Sequence, residues 1–167
     1  IADTLYKTGP ATVPVGGKIS WRLIDGNYSN QTLKNYVITD TVPTNVTDLR
    51  LYFQYDGYTP IYTNGNYSSP AYPAVFEYLD AGGTWQPWFT YASTDRYDYS
   101  PYLPAGATAF RSTVATLPAG VYMDYRVEAT APSDPGITVT NCAVRTGQTL
   151  AGDPLTTNSP QCVNTVT

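Results

Sequence analysis

Val37-Ile38-Thr39-Asp40-Thr41-Val42-Pro43 reads as a β-strand that ends at a proline turn. Alternation puts Tyr36, Ile38, Asp40 and Val42 on one face, so a carboxylate stands in an apolar row. Burying an unpaired carboxylate is costly. Asp40 therefore has a partner, carries a proton, or belongs to a site.

The same period of two recurs on both sides of this stretch. Residues 1–8 read as a first strand with Leu5 and Lys7 on one face, broken by Gly9-Pro10. Lys18 to Ile24 puts Ile19, Trp21 and Leu23 on one face and Lys18, Ser20 and Arg22 on the other. Asp25 to Asn30 reads as a polar connection, and Lys34 also reads as lying in a polar connection, ahead of the Val37 strand. Leu49 to Tyr55 alternates again. Residues 56–72, rich in Gly, Pro, Asn and Tyr, read as a long loop. Ala74–Leu79 and Thr84–Ala92 form a hairpin pattern around Asp80-Ala81-Gly82-Gly83. Tyr97 to Pro104 is loop-like. Thr108–Leu117 and Val121–Thr130 bracket a turn at Pro118-Ala119-Gly120; Val121, Met123, Tyr125 and Val127 face one way, Asp124, Arg126 and Glu128 the other. Ile137 to Arg145 lines up Ile137, Val139, Asn141 and Ala143. A Gly/Pro-rich excursion at 146–160 leads to a last strand, Cys162–Thr167. Leu103-Pro104-Ala105-Gly106 and Leu117-Pro118-Ala119-Gly120 match as turn chemistry rather than as a duplication. About nine short strands and no long helix predict an all-β, antiparallel Ig-like sandwich, with residues 1–167 as a single domain and long Tyr-rich middle loops.

Composition narrows the function classes. The chain has 167 residues, a formal net charge of -4 and no basic stripe to neutralise phosphates, which argues against nucleic acid as a partner. It contains no His, which removes Ser-His-Asp and Cys-His catalysis and His-ligated metals. Charged residues are only 13%, leaving a surface of hydroxyls and amides that suits an extracellular setting. There, Cys142 and Cys162 are expected to pair as a disulfide. No signal peptide or membrane span is visible, so the chain is expected to begin after a processed leader or to be excised from a longer polypeptide.

Three polar residues stand on otherwise apolar strand faces: Lys7 beside Leu5, Asp40 beside Ile38, and Asn141 beside Val139. Lys18 and Glu128 fall on outward faces, Lys34 in a connection, and Glu77 in the middle hairpin. The selected types permit one reaction. A Lys amine attacks an Asn carboxamide, ammonia leaves, and an amide joins the strands. The amine must be neutral, and burial favours the neutral forms of both an amine and a carboxylic acid. Asp40 would be the acid/base, polarising the carboxamide carbonyl and relaying protons. Folding supplies proximity, and neither metal nor cofactor is needed. The same three residues also suit a buried Lys7–Asp40 ion pair with Asn141 hydrogen-bonded beside it.

The opening segment Leu5–Pro43 resembles bacterial surface-repeat domains of the domain of unknown function eleven type, and the related CnaA-like fimbrial isopeptide-forming domains. The resemblance lies in Lys7 on a first strand, Gly16-Gly17, Trp21, Asn27 or Asn30, the Val37–Pro43 strand, and a closing Val139–Val144 strand. It covers the two ends and leaves the middle unmatched. It implies a Lys7–Asn141 isopeptide bond with Asp40 as catalyst, in a structural or adhesive module of a secreted cell-surface protein or fibre. The implied partners are neighbouring surface-protein domains or fibre subunits. The cross-link forms once, so the chain is not expected to be a turnover enzyme.

Eleven tyrosines lie between Tyr52 and Tyr102, too many for loop-like sequence to bury, so an exposed aromatic surface is expected. This supports an alternative reading, a carbohydrate- or receptor-binding module using Trp85, Trp88, Tyr97 and Tyr99 against a host or environmental glycan or protein. Asp95 and Asp98 make only a weak Ca²⁺ pattern. The N-x-S/T matches at Asn27, Asn30, Asn45 and Asn66 read as chance in a bacterial surface protein.

Overall fold

Alternating β-branched and aromatic residues, punctuated by Gly and Pro, make strands throughout. The computed structural model describes residues 5–52, 62–63, 66–67, 73–91, 99–156 and 160–167. Its strands are β1 (Tyr6–Thr8), β2 (Lys18–Gly26), β3 (Leu33–Thr41), β4 (Thr47–Tyr52), β5 (Tyr62–Thr63), β6 (Asn66–Tyr67), β7 (Ala74–Leu79), β8 (Trp85–Tyr91), β9 (Ala109–Leu117), β10 (Val121–Thr130), β11 (Thr138–Thr149) and β12 (Gln161–Val166). No helix occurs among the described residues.

The strands form two antiparallel sheets. One runs β1-β2-β10-β5-β6, with β4 also pairing β10; the other runs β12-β11-β3-β9-β7-β8. The protein is an all-β Ig-like sandwich. Its core is the pair of inward faces: Ile19, Trp21 and Leu23 from β2, Met123, Tyr125 and Val127 from β10, Tyr36 and Ile38 from β3, Phe76 from β7, and Phe110 and Val114 from β9. Phe76 meets Tyr125 across the sandwich, edge to face at 5.8 Å between ring centroids.

Several bounds differ from the sequence expectation. β2 continues through Asp25 to Gly26 because β10 pairs it that far, Met123 opposite Asp25 and Tyr122 opposite Gly26. β3 begins at Leu33 and takes in Lys34, which was expected in a connection. β11 continues to Thr149, into the supposed excursion, because β3 pairs it as far as Leu33 opposite Thr149. Residues 1–4, most of 53–72, Ala92, Asp95, Tyr97 and Asp98 lie outside the described residues.

The two Leu-Pro-Ala-Gly sequences form matching turns. Gly106 and Gly120 sit at φ 84° and 80°, and the following Ala107 and Val121 amides each donate to the Pro104 and Pro118 carbonyls at 3.2 Å. A side chain at the glycine would meet the left-handed penalty.

The N-terminal segment ties the two sheets together. After β1 closes the first sheet, the chain crosses at Gly9-Pro10 and runs parallel along β12. The Val13 amide donates to Val166 O at 3.0 Å, and the Val166 amide to Ala11 O at 2.9 Å. On the other side of β12, Cys142 and Cys162 face each other in register and form a disulfide, Cα atoms 4.1 Å apart.

Candidate functional site

Each residue of the site takes its place from strand alternation. Lys7 lies opposite Leu23 in the β1–β2 ladder, and its side chain is wholly buried. Asp40 lies opposite Ala143 on β11 and Phe110 on β9. Asn141 lies opposite Val163 on β12. Asp40 and Asn141 have no solvent exposure. One sheet supplies the lysine, the other the carboxylate and the amide, and all three meet between the sheets.

The Asp40 carboxylate bridges the other two. Lys7 Nζ donates to Asp40 Oδ2 at 3.0 Å. Asn141 Nδ2 donates to Asp40 Oδ1 at 2.6 Å and to the Thr41 carbonyl at 3.0 Å. A carbonyl only accepts, so the Thr41 contact fixes which end of the amide faces Asp40. The expectation had Asp40 polarising the carboxamide oxygen. Here the nitrogen faces Asp40, and Asn141 Oδ1 is buried without a hydrogen-bond partner among the described residues. Burial pushes the Asp40 carboxyl above its ordinary value, while the Lys7 charge and the hydrogen bonds from Lys7 and Asn141 pull it part of the way back. This geometry suits two states: a buried ion pair with a bound amide, and reactants awaiting amide formation.

A second buried charged group was not anticipated. Asp25, read as part of a polar connection, continues the inward row Ile19, Trp21, Leu23. Arg145 continues the row Val139, Asn141, Ala143. Both are buried, and Arg145 Nε stands 4.0 Å from Asp25 Oδ2 across the sandwich. The Gly26 amide donates to Asp25 Oδ1 at 2.8 Å, and the guanidinium lies 5.7 Å from the Tyr36 ring centroid. Both residues were reachable by extending the alternation one step. Tyr125, also buried, has its hydroxyl pushed well above the usual tyrosine range, first by burial and then by the charge of Asp40.

The other selected residues scatter. Trp88 packs edge-on against Phe76, Phe89 and Phe110, so its rings serve the sandwich margin. Trp85 carries the Arg111 guanidinium 4.0 Å over its ring, and Arg111 also pairs with Glu77 at 3.0 Å. Tyr99 is exposed, with Arg50 stacked 3.4 Å from its ring centroid and Tyr52 at 4.8 Å. Tyr97 lies outside the described residues. Asn27 is structural: its amide nitrogen donates to the Gln31 and Leu117 carbonyls at 2.6 and 2.9 Å. Among the described residues, no group of three His, Cys, Asp or Glu side chains gathers as a metal would require.

No family model matches the chain, and no curated protein matches it. Solved structures do share its fold. The collagen-binding subdomain of the Enterococcus faecalis surface protein ACE aligns over 100% of this chain and 99% of its own, at 9% identity and a TM-score of 0.53. The collagen-binding domain of a Staphylococcus aureus adhesin aligns over 100% and 99%, at 8% identity and 0.51. The major pilin subunit BcpA of Bacillus cereus aligns over 97% of this chain and 40% of its own, at 9% identity and 0.56. At these identities the likeness is one of fold. It places the sandwich among folds used by bacterial adhesin and pilin domains.

Proposed function

We propose that residues 1–167 form a single structural or adhesive domain of an extracellular surface protein or fibre, locked by a Lys7–Asn141 isopeptide bond and the Cys142–Cys162 disulfide. The observation that carries this reading is one buried carboxylate touching both the lysine amine and the asparagine amide, on opposite sheets. The fold shared with adhesin and pilin domains supports it. In this reading the partners are neighbouring domains or fibre subunits of the same surface protein.

The chemistry follows the contacts. Asp40, its carboxyl raised by burial, takes a proton from Lys7 along the 3.0 Å contact. The neutral Nζ attacks Asn141 Cγ. Asp40 then hands its proton to Nδ2 along the 2.6 Å contact, the Cγ–Nδ2 bond breaks to release ammonia, and the second Nζ proton passes to the Asp40 carboxylate, which gives it to the departed ammonia. One ammonia leaves as one Nζ–Cγ amide forms. The two Asp40 oxygens divide the labour: one serves the nucleophile, the other the leaving nitrogen. Folding holds the reactants, and the reaction occurs once per chain.

Protease digestion followed by fragment sequencing tests the linkage. The expected product is a branched peptide joining the segment around Lys7 to the segment around Asn141. Recovery of only linear peptides from both segments contradicts it.

A further inference from the structure

We propose that Gly9 is a positioning residue for the cross-link, acting by letting the chain turn closely over the Trp21 indole. This rests on the cross-linking reading above. Among the described residues, β1 pairs with β2 through Tyr6, Lys7 and Thr8. Immediately afterwards the chain must reach the edge of the other sheet. There the Thr165 hydroxyl donates to Pro10 O at 2.7 Å, and residues 11–13 bracket Val166. Gly9 is the corner between these two anchors.

A Cβ on Gly9 would lie 2.5 Å from Trp21 Cδ1 and 3.1 Å from Val163 Cγ1. Trp21 is fully buried, and a close-packed indole has nowhere to retreat. Val163 is the register partner of Asn141. The corner is thus gauged against the strand that pairs with Lys7 and against the residue that pairs with Asn141. Gly9 lies outside the left-handed region, so the requirement is for space, not for a special backbone conformation. Any side chain demands a shift of about 1 Å two residues from the reacting amine, and a misplacement of that size costs on the order of 100-fold in rate.

The test is cell-free synthesis of the natural chain and of Gly9→Ala under oxidising conditions. Samples are taken over time, folded chains are selected by brief protease treatment, and intact mass after reduction reads the fraction that has lost ammonia. The expected result is a cross-linking rate lowered about 10- to 100-fold by Gly9→Ala. A merely structural effect is read separately in a Lys7→Ala background, where no cross-link forms. There Gly9→Ala should leave a folded domain with a modest drop in melting midpoint. If Gly9→Ala does not fold, insertion of one glycine between Gly9 and Pro10 lengthens the corner without a clash and should slow the cross-link comparably. Equal rates in the natural chain and in a folded variant overturn the role of Gly9 alone. A natural chain that never loses ammonia overturns the cross-link itself, and Gly9's role with it.

Discussion

Replacing Lys7 with alanine should do two separable things. In the proposed chemistry it removes the covalent closure of the loop from residue 7 to residue 141, which chain-entropy arguments value at about 5 kcal/mol. It also leaves the fully buried Asp40 carboxyl without a partner from β1, where the uncross-linked chain has the Lys7 ammonium at 3.0 Å and the cross-linked chain a neutral amide. Measured against the uncross-linked chain, deleting one partner of this buried pair costs about 3–5 kcal/mol when the other stays charged. Asp40 can escape that second cost by taking a proton, so the cost depends on pH. Its folded-state pKa is raised by burial, and losing Lys7 removes the charge that opposed the rise. A carboxyl raised on folding contributes stability that is fully present below its unfolded pKa and is lost as pH rises through its folded pKa. Lys7→Ala should therefore gain stability, relative to Lys7→Ala/Asp40→Ala, as pH falls from neutral towards 3.8, the ordinary value. The assay is guanidinium unfolding of oxidised protein across that range, with Lys7→Ala compared to Lys7→Ala/Asp40→Ala. The single variant should show the acid-side gain and the double variant should lack it, while both lose the loop-closure contribution. Identical pH profiles for the two variants, or a loss below about 2 kcal/mol in the single variant at neutral pH, would refute the reasoning.

Other expectations follow from the same geometry. Cys142→Ser opens a loop of 20 residues and should cost about 3 kcal/mol in chemical denaturation. That loss should add to the Lys7→Ala loss, because the loops 7–141 and 142–162 do not overlap; a strongly non-additive double variant would contradict this. Arg145→Met leaves Asp25 buried without the cation beside it and should lower stability by about 3–5 kcal/mol. Asp25→Asn added to it should recover part of the loss in the same unfolding assay. Asn27→Ala should cost about 1–3 kcal/mol, since the buried Leu117 carbonyl loses the donor it holds at 2.9 Å; a thermal melt unchanged from the natural chain would show that the Asn27 bonds contribute little.

The sequence made most of the sandwich legible because its inward rows are apolar and regular. Ile19-Trp21-Leu23 and Val121-Met123-Tyr125-Val127 could hardly be read otherwise. Lys7, Asp40 and Asn141 stood out for the same reason, as polar interruptions of those rows, and the structure brings the three together. Asp25 falls outside the strand read from the sequence, because turn-forming letters begin there; Arg145 ends the Ile137–Arg145 strand, where a long charged side chain is not expected to turn inward. Asp25-Gly26-Asn27 looks like a turn until β10 is known to pair with it. Gly147 looks like a loop residue, yet it lies in β11, where an added Cβ would come 3.3 Å from the Tyr36 ring. Asp124 was read as outward-facing, and it is; it is nevertheless buried, because Arg22 covers it with contacts of 3.1 and 2.7 Å. Local alternation gives the face of a residue. Which long side chain folds over that face depends on neighbours distant in sequence.

The orientation of the Asn141 amide was equally out of reach, since it depends on the Thr41 carbonyl 3.0 Å away. That one contact changes the assignment of labour at the site. In the proposed chemistry it would make Asp40 a group that serves the leaving nitrogen rather than one that polarises a carbonyl.

The most direct test of the cross-link is the intact mass of the natural chain after full reduction and denaturation, beside Lys7→Ala and Asp40→Ala. The proposed chemistry predicts a natural chain lighter than its sequence by one ammonia, and both variants at their full sequence mass. A natural chain at full sequence mass would contradict it and leave Lys7, Asp40 and Asn141 as a buried ion pair with a hydrogen-bonded amide.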